Sequence, residues 1–271
     1  MQIVDYEKLE ADVKTKHMTF ASAKPYPHIV LDSFLNPAAA NLLLDEFCVE
    51  DGWTHYNHYN ERKMGLTAFE MMGPKTQEII RELSSTQFLK FLSDLSGIEN
   101  LIADPTLDGG GLHQILSGGY LNIHADFQSH TTQLKWSRQL NLLLYLNKDW
   151  EINWGGELEL WNEDVSELVQ SVAPKFNRCV VFHTTPTSMH GHPTPLTCPD
   201  GSSRKSLALY YFRDEGKAQN LAPTNYRARR QDSNLKHGLI AVDRWILRAY
   251  SFLKRYTPLS DTLVNRILKW F

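Results

Sequence analysis

The pattern of apolar and polar positions changes near residue 110. Before it, apolar residues recur at helical spacing, whereas after Gly109-Gly110-Gly111 they form short runs bounded by Gly, Pro, Asn or Asp. Short runs rich in β-branched, aromatic or leucine residues predict strands. Because no helix-length pattern separates most of them, we expect an antiparallel sandwich or barrel braced by helices. The predicted strands cover residues 112–116, 120–127, 138–147, 156–161, 178–184 and 205–212.

The part of the chain before this change predicts a short strand and two helices. Residues 25–35 have strand and turn character, and Asn36-Pro37 then supplies an N-cap and a first helical residue. A second helical pattern runs from about Thr76 to Leu95, with apolar residues on one side. Between the two helices, residues 53–63 are rich in Trp, Tyr, His and Asn and are expected to form a loop.

The C-terminal part differs from the rest in charge. Residues 1–212 contain 16 Lys and Arg against 26 Asp and Glu, a net charge of −10, whereas residues 213–271 contain 12 against 5, a net charge of +7. We predict a domain of residues 1–213 and an extension of residues 214–271, made of a polar basic linker (219–238) and two amphipathic helices split near Pro258. These helices either dock on the domain or contact an anionic membrane surface or a protein partner.

Composition narrows the class of protein. Hydrophobic residues make up 42% and charged residues 22%, which is typical of globular domains. The apolar runs are too short to span a bilayer, and the N-terminus lacks the apolar stretch of a signal peptide. Three cysteines without a CxxC pair argue against a disulfide framework and favour a cytoplasmic location. The acidic body argues against nucleic acid as a partner.

The motif from Tyr120 to Asp126, YLNIHAD, is the first with candidate chemistry. On a strand, His124 and Asp126 share a face with Cα atoms ~6.6 Å apart, so both side chains can reach one ion. An imidazole and a carboxylate are two of the three ligands of the 2-His-1-carboxylate set that binds Fe(II) and leaves coordination positions open. Taken alone, however, His-x-Asp also occurs by chance as a surface pair.

Two downstream segments complete a metal-binding pattern. The strand at residues 177–182 is followed by a loop holding His190 and His192, and a later strand begins with the basic pair Arg204-Lys205. Either histidine is a candidate third ligand, and either basic residue is a candidate anion anchor. Arg204 shares strand parity with small residues, which suits a cavity wall better than the leucines on the face of Lys205.

In this order, the motifs resemble the 2-oxoglutarate/Fe(II) dioxygenases, specifically the prolyl 4-hydroxylase-like branch that includes the hypoxia-sensing prolyl hydroxylases. Residues 145–150 (YLNKDW), 155–158 (GGEL) and 174–178 (PKFNR) reproduce that branch nearly in sequence. The resemblance covers about residues 25–213. It implies a mainly β fold with flanking helices, a double-stranded β-helix or jelly roll, to which the C-terminal helical extension is added.

The resemblance also implies roles for single residues. His124, Asp126 and His190 match the iron ligands, and Arg204 matches the residue that pairs with the far carboxylate of 2-oxoglutarate. Tyr145 matches a tyrosine that donates to the same carboxylate. His190 is favoured over His192 because the family's loop places the ligand one residue before a small or acidic residue.

Strand parity bears on the remaining candidates. Asn141 and Tyr145 fall on one face of their predicted strand, opposite a face made only of leucines, so that Tyr145 is expected to face a wet cavity. Tyr120 and Asn122 share the parity of His124 and are expected to contact 2-oxoglutarate or iron-bound water. His113 and His183 are further inward candidates, for which a structural role is favoured.

The resemblance implies an Fe(II)- and 2-oxoglutarate-dependent dioxygenase that uses O2, with ascorbate as an activator. Its expected reaction is hydroxylation of an aliphatic C–H, with a prolyl residue of a peptide or protein as the favoured substrate. A free amino acid, or an intermediate of a glycan or natural product, is the alternative substrate. A jelly-roll binding module that has lost catalysis is the remaining alternative.

Overall fold

The structure, a computed structural model, describes residues 2–47, 51–219 and 224–256, with side chains up to Trp245. Helices in these ranges are α1 (Tyr6–Glu10), α2 (Val13–Ser22), α3 (Pro37–Asp45), α4 (Pro74–Glu82), α5 (Thr86–Ser96) and α6 (Asn234–Tyr256), with short 3-10 helices at Phe69–Met71 and Ile152–Trp154. The strands are β1 (His28–Leu31), β2 (Thr54–His58), β3 (Glu61–Leu66), β4 (Ile102–Ala103), β5 (Gly111–Ile115), β6 (Tyr120–Ala125), β7 (Trp136–Tyr145), β8 (Leu158–Trp161), β9 (Leu168–Val172), β10 (Arg178–His183), β11 (His190–His192), β12 (Arg204–Asp214) and β13 (Asn225–Tyr226).

The described strands form one curled antiparallel sheet, in the order β1-β10-β7-β12-β5-β3-β6-β11-β8-β9. At the two ends of the order, β10 pairs with β1 and β8 pairs with β9, while β2, β4 and β13 attach beside the path. Strands far apart in sequence therefore become neighbours, as in β6 and β11. This is the jelly-roll architecture expected from the sequence.

The two faces of β7 separate the main core from the interior of the barrel. Leu140, Leu142 and Leu144 are fully buried in the large core cluster that the sheet forms with helices α1–α5. The opposite face turns Asn141 and Leu143 into a cavity, and Tyr145 joins a smaller apolar cluster inside the barrel. The parity derived from the sequence is confirmed, because alternation on an extended strand leaves no other arrangement.

Two local expectations about the N-terminal part are wrong. The predicted helix from Thr76 to Leu95 is interrupted, because Ser85 caps a new helix by accepting a hydrogen bond from the Phe88 amide at 3.2 Å. The predicted loop at residues 53–63 is a hairpin of β2 and β3, and β3 continues into the sheet by pairing with β5 and β6. The N-cap expected at Asn36 is confirmed, since its side chain accepts from Ala38 N at 3.0 Å.

Residues beyond 213 contact the domain. β13 pairs with β6, and α6 begins at Asn234, inside the segment expected to be a linker. Ile240 of α6 is buried, and the Asn60 side chain donates to the Asp243 carboxylate. The second predicted helix, after Pro258, lies outside the described residues. The division of the chain at residue 213 stays a prediction.

Among the helices that the structure describes, none combines the length and the apolar character that crossing a bilayer requires.

Candidate functional site

His124 and Asp126 on and just after β6 meet His190 at the start of β11. Their nearest ligand atoms all lie within 4.8 Å of one another, and the two imidazole rings are 4.4 Å apart between centroids. The Nε2 atoms of His124 and His190 are each 3.4 Å from a carboxylate oxygen of Asp126. The register His190↔His124 between β11 and β6 produces this meeting of residues 66 positions apart.

Hydrogen bonds fix the orientation of both imidazoles. The Nδ1 atom of His124 lies 2.9 Å from the Asn122 carbonyl oxygen, and Nδ1 of His190 lies 2.9 Å from the Ser188 carbonyl oxygen. A carbonyl oxygen can only accept, so each Nδ1 carries a proton, and Nε2 is the nitrogen that the neutral ring can offer to a metal. This is the arrangement in which a second group orients a metal-binding histidine.

Two side chains of β7 support the carboxylate of Asp126. Asn141 donates to Oδ2 at 2.6 Å, and a guanidinium nitrogen of Arg138 lies 3.2 Å from the same oxygen. Burial by itself would raise the pKa of Asp126, but the positive charge of Arg138, together with the contacts of His190 and His124, holds that pKa well below its usual range. Burial lowers the pKa of His190 to about 4. The site therefore offers an ionised carboxylate and a neutral His190.

These donors fit a divalent metal such as Fe(II). Two imidazole nitrogens and one ionised carboxylate oxygen converge from one side, which is the ligand set of non-haem iron sites with open positions. The roles of His124, Asp126 and His190 as iron ligands stay predictions. What the fold establishes is their convergence, their orientation and their common cavity.

Tyr120 and Asn122 do not lie on the cavity wall, contrary to expectation. Between His190 and His192 the ladder is irregular, so two steps on β11 correspond to three on β6, from His124 back to Leu121. Leu121 consequently faces the cavity, while Asn122 donates to Asn60 Oδ1 at 3.1 Å and Tyr120 donates to the Tyr59 carbonyl at 3.1 Å. A bulge reverses side-chain parity, and the sequence carries no local mark of it.

Gly191 explains why β11 can approach β6 this closely. A Cβ atom at this position would lie 2.8 Å from the Leu121 carbonyl oxygen and 2.9 Å from that of Asn122. These neighbours are backbone atoms that cannot move aside easily. The glycine between His190 and His192 thus permits the contact that brings His190 to His124.

Arg204 and Tyr145 form a buried polar pair in the barrel. Arg204 Nη2 donates to the Tyr145 hydroxyl at 3.2 Å, and its Nε donates to the Gly156 carbonyl at 2.6 Å. Burial lowers the pKa of Arg204 and raises that of Tyr145. Among the described residues no carboxylate pairs with Arg204. A buried guanidinium without an acid partner fits an anionic ligand such as a carboxylate.

One cavity joins His124, Asp126 and His190 to Arg204. Its space amounts to about 560 Å³, part of it open to solvent. Lys63 and His113 line it, as do Arg204 and His192, whereas Lys205 and His183 do not. Lys205 instead donates to the Ser203 hydroxyl at 2.7 Å. The expected parity of the basic pair is what the structure has, and His113, for which a structural role was favoured, lies on the cavity wall.

Sequence inspection missed three residues around the site. Arg138 is buried between the rings of Phe127 and Tyr210, with its guanidinium carbon 3.3 Å from the Tyr210 centroid. Strand parity put Asn141 on the cavity-facing side of its strand, but no role for it followed from the sequence. Tyr226 of β13 lies with its ring 5.3 Å from that of His124. Only Asn141 had a detectable signal, a polar residue on a cavity-facing strand.

Comparison with known proteins agrees with this architecture. Residues 110–212 match the model of the 2OG-Fe(II) oxygenase superfamily. The chain is 27% identical to prolyl 3-hydroxylase OGFOD1 of Mus musculus over 137 residues, which is 49% of its length. It is 24% identical to prolyl 3-hydroxylase OGFOD1 of Xenopus laevis over 191 residues, which is 69% of its length. The matches span only 23% and 35% of those two proteins.

A solved structure supports the fold. The prolyl hydroxylase of Trichoplax adhaerens, determined with a peptide fragment of the hypoxia inducible factor oxygen degradation domain, superposes with a TM-score of 0.56. The superposition covers 78% of this chain and 94% of that one, at 18% sequence identity. At this identity the likeness shows a common fold.

Proposed function

We propose that this chain, whose residues 110–212 match the model of the 2OG-Fe(II) oxygenase superfamily, hydroxylates a prolyl residue in a peptide or protein. The observation that carries the proposal is the convergence of His124, Asp126 and His190 in the cavity that Arg204 also lines. The prolyl hydroxylase names of its curated relatives and of a solved structure of the same fold support the substrate class.

The residues have separate tasks in this proposal. His124, Asp126 and His190 would hold Fe(II), and the guanidinium of Arg204 with the Tyr145 hydroxyl would bind the far carboxylate of 2-oxoglutarate. Together, iron, 2-oxoglutarate and O2 supply a hydroxylation that converts C–H to C–OH while 2-oxoglutarate becomes succinate and CO2. Arg138 and Asn141 keep the carboxylate of Asp126 ionised and oriented.

Part of the cavity wall around this chemistry is apolar. It includes the side chains of Ile115, Leu121, Leu143 and Leu158. A buried environment strengthens the contact between Arg204 and a carboxylate, since little solvent screens it. No proton-transferring side chain of the protein is required, because the co-substrate and O2 carry the reaction.

A turnover assay on the full chain tests the proposal. Purified protein with Fe(II), 2-oxoglutarate and ascorbate is given proline-containing peptides, and both succinate and the gain of one oxygen by the peptide are measured. We expect both products, with amino-acid analysis assigning 3- or 4-hydroxyproline. His190→Ala should abolish both, whereas His183→Ala, outside the cavity wall, should retain them.

The other outcomes identify the alternatives. Succinate formed with a free amino acid or small metabolite, and never with a peptide, would replace the prolyl peptide by a small-molecule substrate. Absence of succinate under every condition, in a protein that binds Fe(II), would make the chain a binding module. Dependence on ascorbate is measured by omitting it.

We further propose that α6 contacts an anionic membrane surface. Leu235, Leu239, Val242 and Trp245 recur at helical spacing and are exposed, while Ile240 and Asp243 face the domain. The chain from residue 213 onward carries a net charge of +7. An exposed apolar stripe with a tryptophan, on a basic segment, is typical of helices that lie in the membrane interface.

Sedimentation with vesicles tests this contact. We expect the full chain to bind vesicles of equal parts phosphatidylserine and phosphatidylcholine, and not vesicles of phosphatidylcholine alone. Trp245→Asp should weaken binding, whereas Ile152→Asp should not, although Trp245 and Ile152 are similarly exposed, at 71% and 74%. Binding to neither kind of vesicle would overturn the proposal. A protein partner would then be the remaining explanation for the exposed apolar stripe.

A further inference from the structure

His192 stands apart from the other polar side chains of the cavity wall. Neither Nδ1 nor Nε2 of its ring has a hydrogen-bond partner, and the residue is 3% exposed. Of the cavity-lining residues within the described part of the chain, His192 alone has buried side-chain nitrogen or oxygen atoms without a hydrogen-bond partner. Buried polar groups are normally hydrogen-bonded, so such an atom indicates a partner that is not part of the protein.

The neighbouring histidines show the contrast. His124 and His190 each use Nδ1 to contact a backbone carbonyl, and the ring of His113 interacts with the backbone of Gly109. Each of these rings is therefore held by the protein itself. His192 is buried to a similar extent without such a contact, so packing alone holds its ring.

The surroundings of His192 select the chemistry of the missing partner. The positive charges of Arg204 and Lys63 lie near the His192 ring. After burial, they are the main influences that lower its pKa. Lys63 is paired with Glu61 at 2.9 Å, but Arg204 has no acidic partner among the described residues. An anion is favoured here, and a neutral imidazole can donate one hydrogen bond to it without adding charge.

Strand alternation places His192 on this wall, because His190 and His192 lie two residues apart on β11 and share a face, whereas the irregularity of the ladder lies on β6. On a regular β11–β6 pairing, His192 would lie opposite Asn122, whereas the observed partner is Leu121. The same irregularity removes Asn122 from the cavity. His192 thus lines the same cavity as His190 and Arg204, where Asn122 had been expected to contribute.

We propose that His192 is a 2-oxoglutarate-binding residue whose ring N–H donates a hydrogen bond to the carboxylate that Arg204 holds. This inference rests on the proposed function and adds a ligand contact to it. His192 is then not a metal ligand, and its loss weakens co-substrate binding while the metal site stays intact.

Binding without turnover tests the inference. The full chain is loaded with Mn(II) and titrated with 2-oxoglutarate by calorimetry. His192→Leu should raise the Kd for 2-oxoglutarate about tenfold, the effect of losing one hydrogen bond. His192→Gln, which keeps an N–H donor, should restore most of the affinity. His183→Leu, on a histidine outside the cavity wall, should leave the Kd unchanged, and all variants should bind Mn(II) equally well.

The outcomes separate this inference from the proposed function. If the unsubstituted chain binds 2-oxoglutarate and His192→Leu binds it equally tightly, the inference is wrong and the proposed function stands. If the unsubstituted chain does not bind 2-oxoglutarate, the proposed function itself fails. Loss of Mn(II) binding in His192→Leu would make His192 a metal ligand and overturn the inference.

A second measurement avoids dependence on the folding of His192→Leu. The Zn(II)-loaded chain with ¹⁵N-labelled histidine is compared with His192→Gln to assign the His192 ring resonances by nuclear magnetic resonance. We expect these resonances to shift when 2-oxoglutarate is added. Resonances that do not move at saturating 2-oxoglutarate would contradict the proposed contact.

Discussion

Single residues differ in function here mainly through the direction in which a strand points them. Arg204 and Lys205 are adjacent on β12, yet Arg204 lines the cavity and contacts Tyr145, while Lys205 contacts Ser203 on another side. Both are basic, so charge alone does not separate them. Burial separates the two residues, because water screens little of the attraction between buried Arg204 and an anion bound to it.

Removing the guanidinium should therefore change co-substrate binding specifically. We predict that Arg204→Ala raises the 2-oxoglutarate requirement by about a hundredfold or more, because a buried carboxylate would lose its charge partner. Mn(II) or Fe(II) binding should stay nearly unchanged. The measurement is the 2-oxoglutarate dependence of succinate formation.

Lys205→Ala is the matched control for this prediction. It removes a neighbouring positive charge that does not line the cavity, and it should leave the 2-oxoglutarate requirement close to that of the unsubstituted chain. An equal effect of both substitutions would mean that general electrostatics, and not a specific contact, binds the co-substrate.

At the scale of elements, helices α4 and α5 illustrate how one side chain sets a boundary. Apolar residues continue at helical spacing from Thr76 to Leu95, yet the chain turns at Leu83–Ser85. Ser85 accepts from the Phe88 amide and begins the second helix. Both helices can then pack their apolar sides on the same core cluster.

Loss of this cap should cost stability. We predict that Ser85→Ala lowers the free energy of unfolding by about 1 kcal/mol, because it leaves an N-terminal amide of α5 without its acceptor. Ser84→Ala should change it by less, since the Ser84 hydroxyl bonds to the Ile80 carbonyl, which already belongs to a helix. Urea denaturation of both variants measures the difference, and equal losses would contradict a capping role.

The β2–β3 hairpin is linked to α6 by a cluster of ionisable groups. His58 Nε2 lies 2.9 Å from Glu61, and its Nδ1 lies 3.9 Å from Asp243. Burial and the charge of Lys63 would lower the pKa of His58, but Glu61 and Asp243 outweigh them and raise it. The protonated histidine therefore stabilises the native state.

This raised pKa fixes the sign of a pH dependence. The contribution of His58 is fully present below its unfolded pKa of about 6.5 and is lost as the pH rises through the higher folded pKa. We predict that His58→Gln lowers the melting temperature more at about pH 6 than at about pH 9. In a Glu61→Gln background the pH-dependent part should shrink, and an unchanged pH dependence there would exclude this pair as its source.

For the whole molecule, the question is whether the C-terminal segment belongs to the fold. Among the residues that the structure describes, the members of the large core cluster all precede residue 213. The C-terminal segment nevertheless contains β13, which pairs with β6. This pairing places Tyr226 beside the ring of His124. Removing this segment would leave the end of β6 that carries His124 without its β13 neighbour.

We predict that a chain of residues 1–218 folds and stays soluble, with a lower melting temperature and weaker Mn(II) binding than the full chain. Residues 1–233 keep β13 and should recover most of the Mn(II) affinity. Calorimetry on the three proteins measures this. Insoluble 1–218 protein would show that the extension is required for folding.

The sequence by itself determined the strand alternation of β7, the order of the motifs and the candidate residues His124, Asp126, His190 and Arg204. These features are local, because parity within one strand follows from backbone geometry. They were sufficient to predict an antiparallel sandwich or barrel and the cavity-facing side of β7, and the family resemblance of the motifs implied the jelly roll.

Only the tertiary structure decided which further residues reach the site. The irregular pairing of β11 with β6 turns Leu121 inward, opposite His192, and Asn122 outward. β13 pairs with β6 from about a hundred residues away and places Tyr226 beside His124. Register between strands distant in sequence depends on how whole strands pack, and a shift of one residue reverses every side chain, so no local pattern specifies it.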